Sequence, residues 1–127
     1  MANILVVDDN AKFRNSLAEN FVEDGHSVDT ASDPDSAKQL LAKKSYNLVI
    51  TDNNMPDGNE GIALTEFITK TYPGTPVIMT TCNASSEVRL AFERAGGQAC
   101  FDAVREYRRF SAAVRQTFAT PKEGFAR

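Results

Sequence analysis

The sequence predicts an α/β domain of the doubly wound type, a parallel sheet covered by helices on both faces. Three observations predict it. Five strand-like runs alternate with amphipathic stretches from one end of the chain to the other. The first, third and fourth of these runs are almost continuously apolar, as strands are when helices cover both faces of the sheet. The chain has 127 residues, 42% of them hydrophobic, which is enough for one core and little else.

The first strand is expected over Ile4–Asp8, where Leu5, Val6 and Val7 run into an acidic pair, Asp8 and Asp9. Phe13, Leu17 and Phe21 then recur at helical spacing, and Gly25 closes that helix. The second strand is Ser27–Ala31. Asp33 followed by Pro34 gives a cap and a first-turn proline for the second helix, which carries Leu40 and Leu41. The third strand, Asn47–Asp52, ends on a further aspartate. Ile62, Leu64, Phe67 and Ile68 belong to the third helix. The fourth strand is Pro76–Thr81, and Val88, Leu90, Ala91 and Phe92 mark the helix after it, ended by Gly96-Gly97. The fifth strand is Gln98–Asp102. The last helix presents Phe110, Val114 and Phe118 on one face, with Tyr107 one turn earlier. The domain is expected over residues 1–119, and Thr120–Arg127, with Pro121 and Gly124, reads as a tail or the start of a linker.

Charge and motifs exclude several functions. A net charge of -3 and a pI near 5.1 argue against direct nucleic-acid binding. No apolar run reaches the length of a membrane span, and the N-terminus enters a strand directly, so a cytoplasmic protein is expected. Cys82 and Cys100 lack C-x-x-C spacing and histidine company, and both are expected as reduced, buried thiols. Neither a G-x-G-x-x-G nor a P-loop follows the first strand. Asn54 stands two residues after Asp52, where a phosphatase with an aspartate nucleophile needs its general acid, so the chain is not expected to be an enzyme.

The positive signal is acidic. In open parallel sheets the site lies beyond the carboxyl ends of the strands, where strand order reverses. Asp8, Asp9, Asp52 and Thr81 all fall at strand ends on that edge. Neighbouring strands lie about 4.8 Å apart, and two carboxylates about 4 Å apart repel by roughly 4 kcal/mol at an effective dielectric near 20. A divalent cation relieves that repulsion, and a small set of hard oxygen ligands suits Mg2+. Singly, each residue has a plainer reading. Asp9 or Asn10 can simply cap the first helix, and Thr81 can be a strand-end hydroxyl bonded to backbone.

Taken in order, these segments resemble the receiver domain of two-component response regulators over nearly the whole chain. Ile4-Leu5-Val6-Val7-Asp8-Asp9-Asn10 is similar to that family's opening strand and acidic pair. Thr51-Asp52-Asn53-Asn54-Met55-Pro56-Asp57-Gly58 is similar to its phosphoacceptor segment, and Pro76-Val77-Ile78-Met79-Thr80-Thr81 to its fourth strand. Ala95-Gly96 and Ala112-Ala113-Val114-Arg115 fall into the same register. The resemblance implies a flavodoxin-like fold with strand order 2-1-3-4-5. It makes Asp52 the phosphoacceptor, supplied by a sensor histidine kinase or phosphotransfer protein, and Thr81 the switch hydroxyl. It makes Asp8, Asp9, Asp52 and the backbone carbonyl of Asn54 the Mg2+ ligands. The implied output is protein–protein contact with an effector protein or fused domain. The face of helix four, strand five and helix five is the implied place for it, or for a weak homodimer.

One corner departs from the family pattern. Ala103 and Val104 stand where the family has Lys-Pro, Arg105 where an aromatic follows, and Cys100 where the fifth strand carries its switch aromatic. Removing one preorganised donor at such a site costs on the order of 10²–10³ in rate, so slower phosphorylation or a weaker switch is expected. Arg105 is expected to point to solvent with Arg108 and Arg109, though it lies near enough to reach the pocket instead. Arg94, Arg105, Arg108 and Arg109 would make the outer face basic and suit an acidic partner. Two functions therefore stand: a phosphoacceptor receiver, or a pseudo-receiver that binds proteins independently of phosphorylation.

Overall fold

Five short strands form one parallel sheet: β1 (Asn3–Val7), β2 (Ser27–Ala31), β3 (Leu48–Thr51), β4 (Val77–Thr81) and β5 (Ala99–Asp102). Their order is β2-β1-β3-β4-β5, the flavodoxin-like arrangement. In this computed structural model, residues 2–55 and 58–123 are described, with side chains through Phe118. Pro56 and Asp57, quoted above for the phosphoacceptor segment, lie outside the described residues, as do 124–127 of the expected tail.

Side chains alternate across each strand, and that alternation sorts the core into two layers. Leu5 and Val7 of β1 face one way, with Val49, Val77 and Met79. Helices α2 (Pro34–Lys43), α3 (Glu60–Thr71) and α4 (Ser86–Arg94) cover that side through Leu41, Leu64, Ile68 and Phe92. Ile4 and Val6 face the other way, with Leu48, Ile50 and Ile78. There α1 (Ala11–Glu23) and α5 (Tyr107–Glu123) contribute Leu17, Phe21, Phe110 and Val114. Both faces of β1, β3 and β4 are thus buried, which is why their sequences are continuously apolar.

Local chemistry sets the helix ends. Asn10, rather than Asp9, caps α1, its side chain accepting the Phe13 N–H. Asp33 caps α2 by accepting the Ser36 N–H at 2.7 Å, with Pro34 in the first turn. Gly25 and Gly96 adopt φ of 96° and 100° just past α1 and α4, a left-handed conformation that only glycine reaches without cost.

The structure moves several expected boundaries. Asp8 and Asp52 leave the strands they were expected to end: their N–H groups still bond to Ala31 and Val7, but their side chains turn into the loops. Asn47, Pro76 and Gln98 likewise precede β3, β4 and β5. Helix α5 takes in Thr120–Glu123, assigned from sequence to the tail. Cys100 is buried as expected, but Cys82 is exposed, because β4 ends one residue before it. Among the described residues no helix is long and apolar enough to cross a membrane.

Candidate functional site

Strand register builds the site. Val7 pairs with Thr51 at the ends of β1 and β3, so the next residues, Asp8 and Asp52, emerge side by side. Thr81 closes β4 on the far side of β3. Asp9 follows Asp8 into the loop before α1. One carboxylate oxygen from each of Asp8, Asp9 and Asp52 lies within 4.8 Å of the others. Asp8 is buried, Asp52 half-buried and Asp9 exposed.

Each buried acid has partners. Asp8 Oδ1 accepts the Asn10 N–H at 2.9 Å. Asp52 Oδ1 accepts the Asn53 N–H at 2.7 Å, and the Thr81 hydroxyl and the Asn54 N–H also donate to its carboxylate. These bonds do not compensate for desolvation. Burial pushes the Asp8 carboxyl up to about 6, opposed by the Asn10 N–H and reinforced by the charges of Asp52 and Asp9. Burial also raises Asp52, against the three hydrogen bonds and with the Asp9 charge adding to the rise. Three acids crowded to this degree, with all-oxygen donors and one exposed member for entry, fit a small hard divalent cation. Asn54 sits exposed on the rim, with its N–H on Asp52.

The raised Asp8 gives a sign to the pH dependence of the metal-free fold. Its folded value of about 6 exceeds the unfolded 3.8, so the folded state binds this proton more tightly. The stability this adds is fully present below pH 3.8 and lost as pH rises through about 6. The loss is on the order of 2–3 kcal/mol. In melts with chelator present, Asp8→Asn is expected to gain on wild type as pH rises from 3.8 to about 6, and to hold that gain above it. Parallel curves would show that Asp8 is not strained by burial.

A cavity of about 130 Å³ opens beside the acids, lined by Asp8, Asp52, Thr81, Cys82, Ala103 and Val104 among others. The Ala103 N–H donates to the Thr81 carbonyl at 3.0 Å, so β5 delivers Ala103 to the place where a longer basic side chain would reach the acids. None of the described lining residues is basic. Arg105 is exposed and lies outside the lining, its N–H bonded to Asp102 Oδ1.

Several residues were not singled out from the sequence. Arg14, one turn into α1, donates from Nη1 to the Asp8 carbonyl at 3.0 Å. Arg89 of α4 spans the outer face of β5. Its Nη1 donates to the Cys100 carbonyl at 2.6 Å, its Nε to the Ala84 carbonyl at 3.0 Å, and its Nη2 to Glu106 Oε1 at 2.6 Å. Glu106 also accepts the Asp102 N–H at 2.8 Å. A guanidinium therefore bridges α4, β5 and the start of α5, next to the position where the family carries an aromatic. The signal for Arg14 was its place one helical turn beyond the acidic pair; Arg89 offered none.

Comparison with known proteins agrees with this geometry. Residues 4–102 match the family described as the response regulator receiver domain. Protein PetR of Rhodobacter capsulatus is 30% identical over 94 residues, covering 74% of this chain and 39% of PetR. The response regulator protein FleR of Pseudomonas aeruginosa is 34% identical over 80 residues, 63% of this chain and 17% of FleR. The sensor histidine kinase RcsC of Escherichia coli is 35% identical over 97 residues, 76% of this chain and 10% of RcsC. The chain thus spans well under two thirds of these relatives. Among solved structures, the NtrX receiver domain of Brucella abortus superposes with a TM-score of 0.82 at 28% identity, over 92% of this chain and 98% of that one. TrrA of Thermotoga maritima, in complex with Mg2+ and BeF, gives 0.81 at 26% identity, over 92% and 99%.

Proposed function

The chain belongs to the response regulator receiver domain family of two-component signalling, and from that premise we propose that Asp52 accepts a phosphoryl group and that the output is protein–protein contact. The observation that carries this reading is the meeting of three carboxylates at the end of β1 and β3, with the Thr81 hydroxyl on Asp52. A carboxylate so held is a competent nucleophile toward phosphorus.

The donor is a phosphohistidine on a sensor histidine kinase or phosphotransfer protein, and the exchange takes place in the cytoplasm. An oxygen of Asp52 forms the O–P bond as the donor's P–N bond breaks. The imidazole nitrogen leaves with the electron pair and takes a proton from solvent. Mg2+, when bound, offsets charge on the phosphoryl oxygens. Asp8, Asp9, Asp52 and the carbonyl of Asn54 would hold it, in keeping with the all-oxygen donor set. The Asn53 N–H fixes one oxygen of the nucleophile, and the Thr81 hydroxyl is placed to transfer its hydrogen bond to a phosphoryl oxygen. The chain keeps the phosphoryl group instead of turning over a separate substrate, so we do not class it as an enzyme. An effector protein or a fused domain reads the result.

Intact-mass analysis after incubation with Mg2+ and acetyl phosphate tests the reading. Wild type is expected to gain one phosphoryl group and Asp52→Asn none. No gain by wild type, at donor levels that label an ordinary receiver, would instead identify a phosphorylation-independent binding module.

A further inference from the structure

The loop that presents Asp52 is held by Asn53, to which the family resemblance assigned no role of its own. Asn53 is buried, with 3% of its surface exposed, and all its polar groups are engaged. Its N–H donates to Asp52 Oδ1 at 2.7 Å. Its carbonyl accepts the Gly61 N–H at 3.1 Å, and its side-chain Oδ1 accepts the Ile62 N–H at 3.1 Å. Its Nδ2 donates to Asn59 Oδ1 at 3.2 Å.

The first turn of a helix leaves N–H groups without intrahelical partners, and the N-cap side chain usually takes one. At α3 the N-cap residue, Asn59, makes no such bond and adopts a φ of 67°. Asn53 takes over that task from the end of β3. The helix in turn holds Asn53: a Cβ on Gly61 would lie 2.1 Å from the Asp52 carbonyl, so the chain after β3 rests directly on the first turn of α3. Glu60 ties two further residues of the loop, Oε1 accepting the Met55 N–H at 2.8 Å and the Gly58 N–H at 2.7 Å.

We propose that Asn53 is a positioning residue for phosphoryl acceptance: anchored on α3 through its side chain, it fixes the peptide N–H that pins one oxygen of Asp52. This rests on the reading of Asp52 as the acceptor. Without the anchor the peptide turns, the 2.7 Å bond loosens, and the carboxylate samples directions from which it cannot attack in line.

The test compares wild type, Asn53→Ala and Ala37→Gly, the last a destabilised control within the buried face of α2. Initial labelling rates are measured against acetyl phosphate concentration at saturating Mg2+, well below each melting temperature. Asn53→Ala is expected to lower the maximal rate about 10- to 100-fold at unchanged half-saturating donor, while Ala37→Gly loses stability and keeps its rate. Equal maximal rates for wild type and Asn53→Ala would overturn the positioning role and leave Asp52 as the acceptor. If wild type itself takes no phosphoryl group, the acceptor reading fails and the positioning role falls with it.

Discussion

An Ala103→Lys variant is expected to take a phosphoryl group from a small donor about 10²–10³ times faster than the natural sequence. The expectation follows from what surrounds the methyl group of Ala103. It lines the cavity beside Asp8 and Asp52, and its N–H is fixed to the Thr81 carbonyl at 3.0 Å. A lysine stem starting there has about 130 Å³ to enter before its ammonium meets the carboxylates. None of the described residues lining that cavity carries a positive charge, so charge developing on a transferring phosphoryl group lacks a fixed partner on this side. An ammonium is compact and adjusts its position, which suits a site proposed to change from free carboxylate to acyl phosphate. The same charge would offset the like-charge contribution that helps to raise Asp8, so the metal-free variant should also melt higher than wild type at neutral pH. Initial rates at matched Mg2+ decide the matter. An unchanged rate in a folded variant would mean that the missing cation is not what limits this site.

Parts of this site were legible in the sequence for a definite reason. Asp8 and Asp52 each follow an apolar run, and parallel strands in register must bring such ends to one edge; no side-chain detail is needed to foresee it. The absence of a basic group at Ala103 and of an aromatic at Cys100 was legible only against the pattern of the family that the chain resembles. Asn53, Glu60 and Arg89 were not legible either way. Each is a common polar residue whose partner is set by tertiary packing: Asn53 finds the N–H of Ile62 nine positions away, and Arg89, on a helix, finds the carbonyl of Cys100 on β5. Charge pattern alone does not distinguish such residues from a solvated face. The exposure of Cys82 and the added turn of α5 are boundary effects, decided by where a strand ends and how far a helix continues.

Replacing Phe92 by alanine is expected to cost about 3–5 kcal/mol and to lower the melting temperature by on the order of 10–20 °C. Phe92 is the one buried side chain of α4, fully enclosed, and its ring lies against Gly97, where a Cβ would come within 2.2 Å of it. Beyond it, Val88 packs half-buried against the same core, and the rest of the hold on α4 is polar. Arg89 and Glu106 form an ion pair with side chains 36% and 22% exposed, and partly solvated pairs contribute about 1 kcal/mol or less. The ring therefore supplies most of the energy that docks α4, while the guanidinium, with its bonds to Ala84, Cys100 and Glu106, fixes where the helix lies. Arg89→Ala should accordingly leave the melting temperature within a few degrees of wild type yet speed hydrogen exchange in α4. A Phe92→Ala loss below about 1 kcal/mol would show that the helix is held by other contacts. The acids sit at the ends of β1 and β3, on the far side of β4 from this helix in sheet order. Below its melting temperature, Phe92→Ala should still accept a phosphoryl group at close to the wild-type rate. Acceptance without a fixed α4 would separate the proposed chemistry at Asp52 from the docking of that helix.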